Sequence, residues 1–189
     1  MAFQLNNDEK KFLLRLARRT ISGFLKNELP GKQEFFSENL KTKTGAFVTL
    51  HKNKNLRGCI GYVSGFSPLQ EAVTDLAVSA AFRDPRFSPV EEDELDEVDI
   101  EISVLTPLET VKDISEIVIG RDGLKIKQPP YEGLLLPQVA SEYGWDVETF
   151  LEQTCGKAGL PKTAWKEPDT EIKKFSALIF GEKEFDETV

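Results

Sequence analysis

A thiol, a guanidinium and two glycines fall within the hexapeptide Leu56-Arg57-Gly58-Cys59-Ile60-Gly61. Alternation along an extended strand places Leu56, Gly58, Ile60 and Tyr62 on one face and Arg57, Cys59, Gly61 and Val63 on the other. An arginine is rarely buried without a partner, so the Arg57–Cys59 face is expected to meet a cleft or solvent. A guanidinium ~7 Å along the strand favours thiolate over thiol, which makes Cys59 a candidate nucleophile or redox thiol. The same surroundings suit an anion. Backbone amides at Gly58, Cys59 and Gly61, a helix start near Ser67, Arg57, and the nearby Arg83 and Arg86 would together hold a phosphate or carboxylate. Packing offers a third account of the same residues. Cys59 would then be a small hydrophobe, the glycines would admit an alanine-faced helix, and Arg83-Asp84-Pro85-Arg86 would pair internally to hold a turn.

A base beside Cys59 would favour catalysis, and His51 is the sole histidine. It reads as a solvated residue at a hairpin tip. With Cys59 paired near Val48 or Thr49, His51 falls roughly 7–10 Å along the strand, beyond hydrogen-bond reach. Cys155, in Glu152-Gln153-Thr154-Cys155-Gly156-Lys157, lies at a helix end where packing is its expected role, and an approach to Cys59 stays open. Trp145, Trp165, Tyr131 and Tyr143 read as core or cleft-wall aromatics. One histidine and no CxxC or HxxxH spacing leave no metal site to be expected, and no cofactor motif is present.

The elements that must position these groups follow from periodicity. Asn7 or Asp8 can cap a first helix whose apolar face is Phe12, Leu13, Leu16, Ala17, Ile21, Phe24 and Leu25, with Pro30-Gly31 as its stop. Lys11, Arg15, Arg18 and Arg19 form a solvated basic flank. Residues 45–50 and 56–63 predict a hairpin around the polar turn 51–55, and Ser67 with Gln70 predicts a capping box for the helix through Leu69, Ala72, Val73, Leu76, Ala77 and Ala80. Ser88-Pro89-Val90-Glu91 is a second capping signature, before a short solvated acidic helix over 91–99. Ile100, Ile102 and Val104 alternate as a half-exposed strand. Ile117–Ile119 and Leu124–Ile126 predict a second hairpin about Asp122-Gly123, followed by a stiff loop at Gln128–Gly133. One or two helices over 138–157, capped at Asp146, and a closing strand over 172–180 complete the chain. Hairpin followed by helix thus occurs twice, at 45–82 and 117–157. The class is α+β with largely antiparallel or mixed sheets, bracketed by an N-terminal helix and a C-terminal strand.

With 189 residues, the chain can bury a substantial core. Its net charge of −8 disfavours loose association with nucleic acid or anionic lipid. Two distant cysteines are no disulfide framework, and neither a signal peptide nor a membrane span is visible, so a cytoplasmic location is expected.

The hexapeptide, Gly45-Ala46-Phe47-Val48-Thr49, Ala80-Ala81-Phe82-Arg83-Asp84-Pro85-Arg86-Phe87, Ile100–Leu105, Leu135–Ala140 and Thr154–Leu160 together resemble the AMMECR family, over about residues 10–182. That family takes its name from a human chromosomal region linked to Alport syndrome and elliptocytosis. The resemblance implies one AMMECR-type domain spanning 1–189, with two intertwined lobes built from β–α repeats and the signature beside the groove between them. It implies no established activity. It does imply an association with Memo-like and radical-SAM proteins, hence a shared modification or redox pathway. The expected function is groove-based binding of a small anionic ligand or a partner segment at Arg57, Gly58, Cys59, Gly61, Arg83 and Arg86. The alternatives are an enzyme using Cys59 as its catalytic residue, and a regulatory or scaffold protein without pocket chemistry.

Overall fold

In the computed structural model, which describes residues 3–28 and 35–185, the chain divides into two units. Residues 1–105 and 178–189 form the first, and residues 106–177 form the second, so the chain leaves the first unit and returns to it. Helices and antiparallel strands occur in both, as an α+β class requires.

Asn6, one residue earlier than expected, caps α1 (Asn7–Leu25) in a reciprocal box with Glu9. Glu9 is buried because it also accepts hydrogen bonds from Ser37 and Asn39, which ties α1 to the short α2 (Glu38–Lys41). The helix ends at Leu25, and the stop expected at Pro30-Gly31 lies outside the described residues. Arg18 departs from the solvated flank. Its guanidinium pairs with Glu182 and donates to the carbonyls of Leu95 and Val98, because the carboxylate and both carbonyls converge on it.

Antiparallel β1 (Ala46–Lys52) lies between β2 (Asn55–Tyr62) and β3 (Val98–Leu105). Their even-numbered residues Val48, Leu50, Ile100, Ile102 and Val104 are fully buried with Leu13, Leu14 and Ala17 of α1. The turn between β1 and β2 is shorter than expected. Only Asn53 and Lys54 turn the chain, both with positive φ, so His51 belongs to the strand and not to its tip. The capping box at Ser67 does not form. Instead α3 (Leu69–Phe82) starts after Pro68, and its first amide is satisfied by the Thr42 carbonyl. The alanine face of α3 packs on β2 as expected. A Cβ on Gly58 would run into the Ala80 carbonyl oxygen, well inside van der Waals contact. The acidic run forms a 3₁₀ turn, Glu92–Glu97, begun by the Glu91 amide on the Glu94 carboxylate; Ser88 offers its carbonyl elsewhere.

In the second unit the predicted Asp-Gly hairpin is displaced. Asp122 accepts the Val118 amide and pairs with Arg121, which closes 118–122 as a local turn and leaves Asp122 and Gly123 inside a strand. The hairpin is β5 (Asp122–Gln128) with β6 (Tyr131–Leu135), turned at Pro129-Pro130 in what reads from sequence as a loop. The short β4 (Glu109–Thr110) pairs with Lys173 and Lys174 of β7 (Glu171–Gly181), and β7 pairs with β5 through residues 171–176. Helices α4 (Pro137–Glu142) and α5 (Val147–Lys157), the latter capped by Asp146 as predicted, cover Leu124 and Ile126. Hairpin then helix therefore recurs, with the same packing device. A Cβ on Gly133 of β6 would collide with the backbone of Ala158 at the end of α5, as one on Gly58 would with Ala80. Among the described residues, no helix is long and apolar enough to cross a membrane.

A clamped cysteine on the candidate functional face

Strand β2 pairs only with β1 in its unit, so half its peptide groups face away from the sheet. Cys59 is one of these positions. Its N–H donates to Asp84 Oδ2 at 2.9 Å, and its carbonyl accepts from Arg86 Nη2 at 3.0 Å. Asp84 is buried, and it also takes the Arg86 Nε and backbone N–H. The guanidinium, followed by hydrogen bonds from Cys59 and Arg86 amides, holds the Asp84 carboxyl far below the usual carboxylate range against the opposing cost of burial. The same carboxylate raises the pKa of Arg86. Asp84 and Arg86 thus pair internally, as the packing account expects, and they also grip the peptide of the cysteine.

The thiol itself is half-buried on the face opposite the helices. Cys59 stands opposite Thr49, where its predicted register puts it, and Thr49 Oγ1 lies 3.3 Å from Sγ. Gly61 lies under the Phe47 ring, which a Cβ would displace. His51 shares this face by alternation, one two-residue repeat (~7 Å) beyond Thr49, with Asp99 opposite. The Arg86 guanidinium is within electrostatic reach of Cys59, and just over half of its side chain, 54%, is exposed. Arg83 is exposed and closes α3 through its N–H.

Arg57 projects from the same strand, but its charge is already matched. Its guanidinium meets Glu94 through Nε at 3.2 Å and Nη2 at 2.5 Å, and it donates to the carbonyls of Ser88 and Pro89. Only 14% of its side chain is exposed. Arg57, then Lys52, holds Glu94 at a pKa of about 2. Glu94 and Glu97 in turn raise that of Lys52. Arg57 therefore braces the acidic 3₁₀ turn against the β1–β2 hairpin. Gly58 faces the helix, away from the thiol. Nothing near Arg57 in the sequence names Glu94 as its partner, because 37 residues separate them.

Cys155 is fully buried in the core of the second unit with Phe150, Leu151 and Ala164, and burial pushes its thiol pKa up. Packing accounts for it. Among the described residues, no group of three or more His, Cys, Asp or Glu side chains is placed to hold a metal ion.

A family model described as AMMECR1 matches residues 14–180 of the chain. The protein TK0174 of Thermococcus kodakarensis is 45% identical over 96% of this chain and 94% of its own length. Protein MJ0810 of Methanocaldococcus jannaschii is 46% identical over 95% of this chain and 93% of its own. The crystal structure of uncharacterized protein PH0010 from Pyrococcus horikoshii superposes with a TM-score of 0.72 at 43% identity, covering 94% of this chain and 93% of that one.

Proposed function

The chain belongs to the AMMECR1 family, and from that premise we propose that its Cys59 face is a binding surface for a small anionic group, borne by a free ligand or by a segment of a partner. One observation carries this reading. Arg86 is fixed by a buried carboxylate at the Cys59 carbonyl, yet 54% of its side chain remains open to solvent. A guanidinium held in place on one side loses little freedom when an anion takes its other side. Arg83 and the Thr49 hydroxyl supply further donors, and Arg57 acts as the brace beneath them. Partnership with Memo-like and radical-SAM proteins belongs to this reading on the strength of the family resemblance alone.

Protection of Cys59 from alkylation tests it. A panel of phosphate, nucleotide and small carboxylates should include one that slows labelling saturably in the wild type and not in Arg86→Gln. Equal protection in a folded Arg86→Gln protein rejects the site.

A second reading, Cys59 as nucleophile or redox thiol, is favoured by the Thr49 hydroxyl at 3.3 Å from the sulfur, which can donate to a thiolate. It requires Cys59 to react with iodoacetamide faster than a peptide thiol at neutral pH. An equal or slower rate removes the enzymatic version.

A further inference from the structure

The second unit carries an independent charge arrangement on the face of its sheet opposite α4 and α5. In the row across β6, β5 and β7, Glu132, Lys127 and Glu171 stand side by side and alternate in sign. The adjacent row reads Leu134, Lys125 and Lys173, with Thr110 of β4 beyond. Two lysines thus face each other directly, in a row that holds no carboxylate. Like charges in that relation are destabilising in a sheet. Each reaches for an acid of the neighbouring row: Lys125 Nζ lies 3.2 Å from Glu132, diagonally across to β6, and Lys173 Nζ lies 2.8 Å from Glu171, two residues along β7. Lys173, followed by Lys127 and Lys125, holds the Glu171 carboxyl below its usual value. Three ammonium groups are therefore served by two carboxylates. Lys125 and Lys173 are also not free surface lysines, since 19% and 31% of their side chains are exposed.

A chain with eight more acidic than basic groups has no general need for this concentration of lysine. We propose that Lys125 and Lys173, with Lys127 at the rim, form a binding site for a small phosphate-class oxyanion. The oxyanion would sit between the two opposed lysines, add negative charge where ammonium groups outnumber carboxylates and relieve their repulsion. This site does not depend on the reading of the Cys59 face, and Arg86 takes no part in it.

Calorimetric titration of the full chain at low ionic strength, with inorganic phosphate and then glycerol phosphate, tests the proposal. Saturable binding of at least one is expected, weakened tenfold or more by Lys125→Gln and by Lys173→Gln, and unchanged by Lys157→Gln on α5. Binding of the ester alone assigns the site to phosphomonoesters. A second readout separates binding from misfolding. Without phosphate, Lys125→Gln should melt at or above the wild-type temperature, since it removes the repulsion, while losing the upward shift that phosphate gives the wild type. No saturable heat with either probe overturns the site. So does binding that a folded Lys125→Gln protein retains.

Discussion

Asp84 Oδ2 accepts the backbone N–H of Cys59 at 2.9 Å across 25 residues of sequence. A buried carboxylate here replaces the neighbouring strand that β2 lacks at this point, and Arg86 completes the replacement at the carbonyl. The edge is closed to strand addition at Cys59 while the thiol remains on the open face. Replacing Asp84 by Asn keeps the shape and removes the charge that holds Arg86. The expected loss is about 1.5–3 kcal/mol, the range for hydrogen bonds to charged groups. Urea unfolding checks it, and a change below about 0.5 kcal/mol would contradict the clamp.

Acid should weaken the first unit through Glu94. Its carboxyl titrates at about 2 when folded and near the ordinary 4.5 when unfolded. As pH falls, the unfolded chain therefore takes up the proton first. The stabilisation is complete above about pH 5 and is lost between there and pH 2, on the order of 2 kcal/mol after allowance for solvent around Lys52. Unfolding free energies measured from pH 7 to 2.5 should fall less steeply in Glu94→Gln than in the wild type. Parallel curves would show that the Arg57–Glu94 pair carries no such linkage.

Glycine substitutions should sort by what surrounds them. Gly58→Ala and Gly133→Ala each push a methyl into helix backbone and should cost about 2–3 kcal/mol as overpacking. Gly156, within α5, has nothing within 4 Å of a built Cβ, so Gly156→Ala should stabilise by about 0.5–1 kcal/mol. Thermal melts of the three variants decide, and a tolerated Gly58→Ala would disprove close helix approach at β2.

The two cysteines should separate cleanly under Ellman's reagent. Cys59 is half-buried and Cys155 fully buried, so the native protein should titrate one thiol and the denatured protein two. Cys59→Ser should abolish the native signal. Native reactivity that survives in Cys59→Ser would mean that Cys155 opens to solvent.

Periodicity in the chain is sufficient for α1, α3 and β3, because each buries one face and its apolar spacing states which face that is. Alternation also set Cys59 on the side of β2 away from Gly58, although the register shift between Leu50 and His51 interrupts it at Arg57, and the hexapeptide pointed to the family. Local signals misled where another group, distant or near, met the need that the expected one was to meet. The Thr42 carbonyl serves the first amide of α3 in place of Ser67, and the local closure of Asp122 on Val118 and Arg121 moves the second hairpin to the proline turn.

The roles of the arginines were decided only by tertiary structure. From the chain, Arg57 and Arg86 look alike as cations near a thiol. Folding brings Glu94 onto Arg57 and takes up its charge, while Asp84 holds one edge of Arg86 and leaves the other in solvent. Charge, unlike hydrophobicity, has no period along a sequence. Which cation remains available depends on where folding brings each carboxylate, and for Arg57 that contact spans 37 residues.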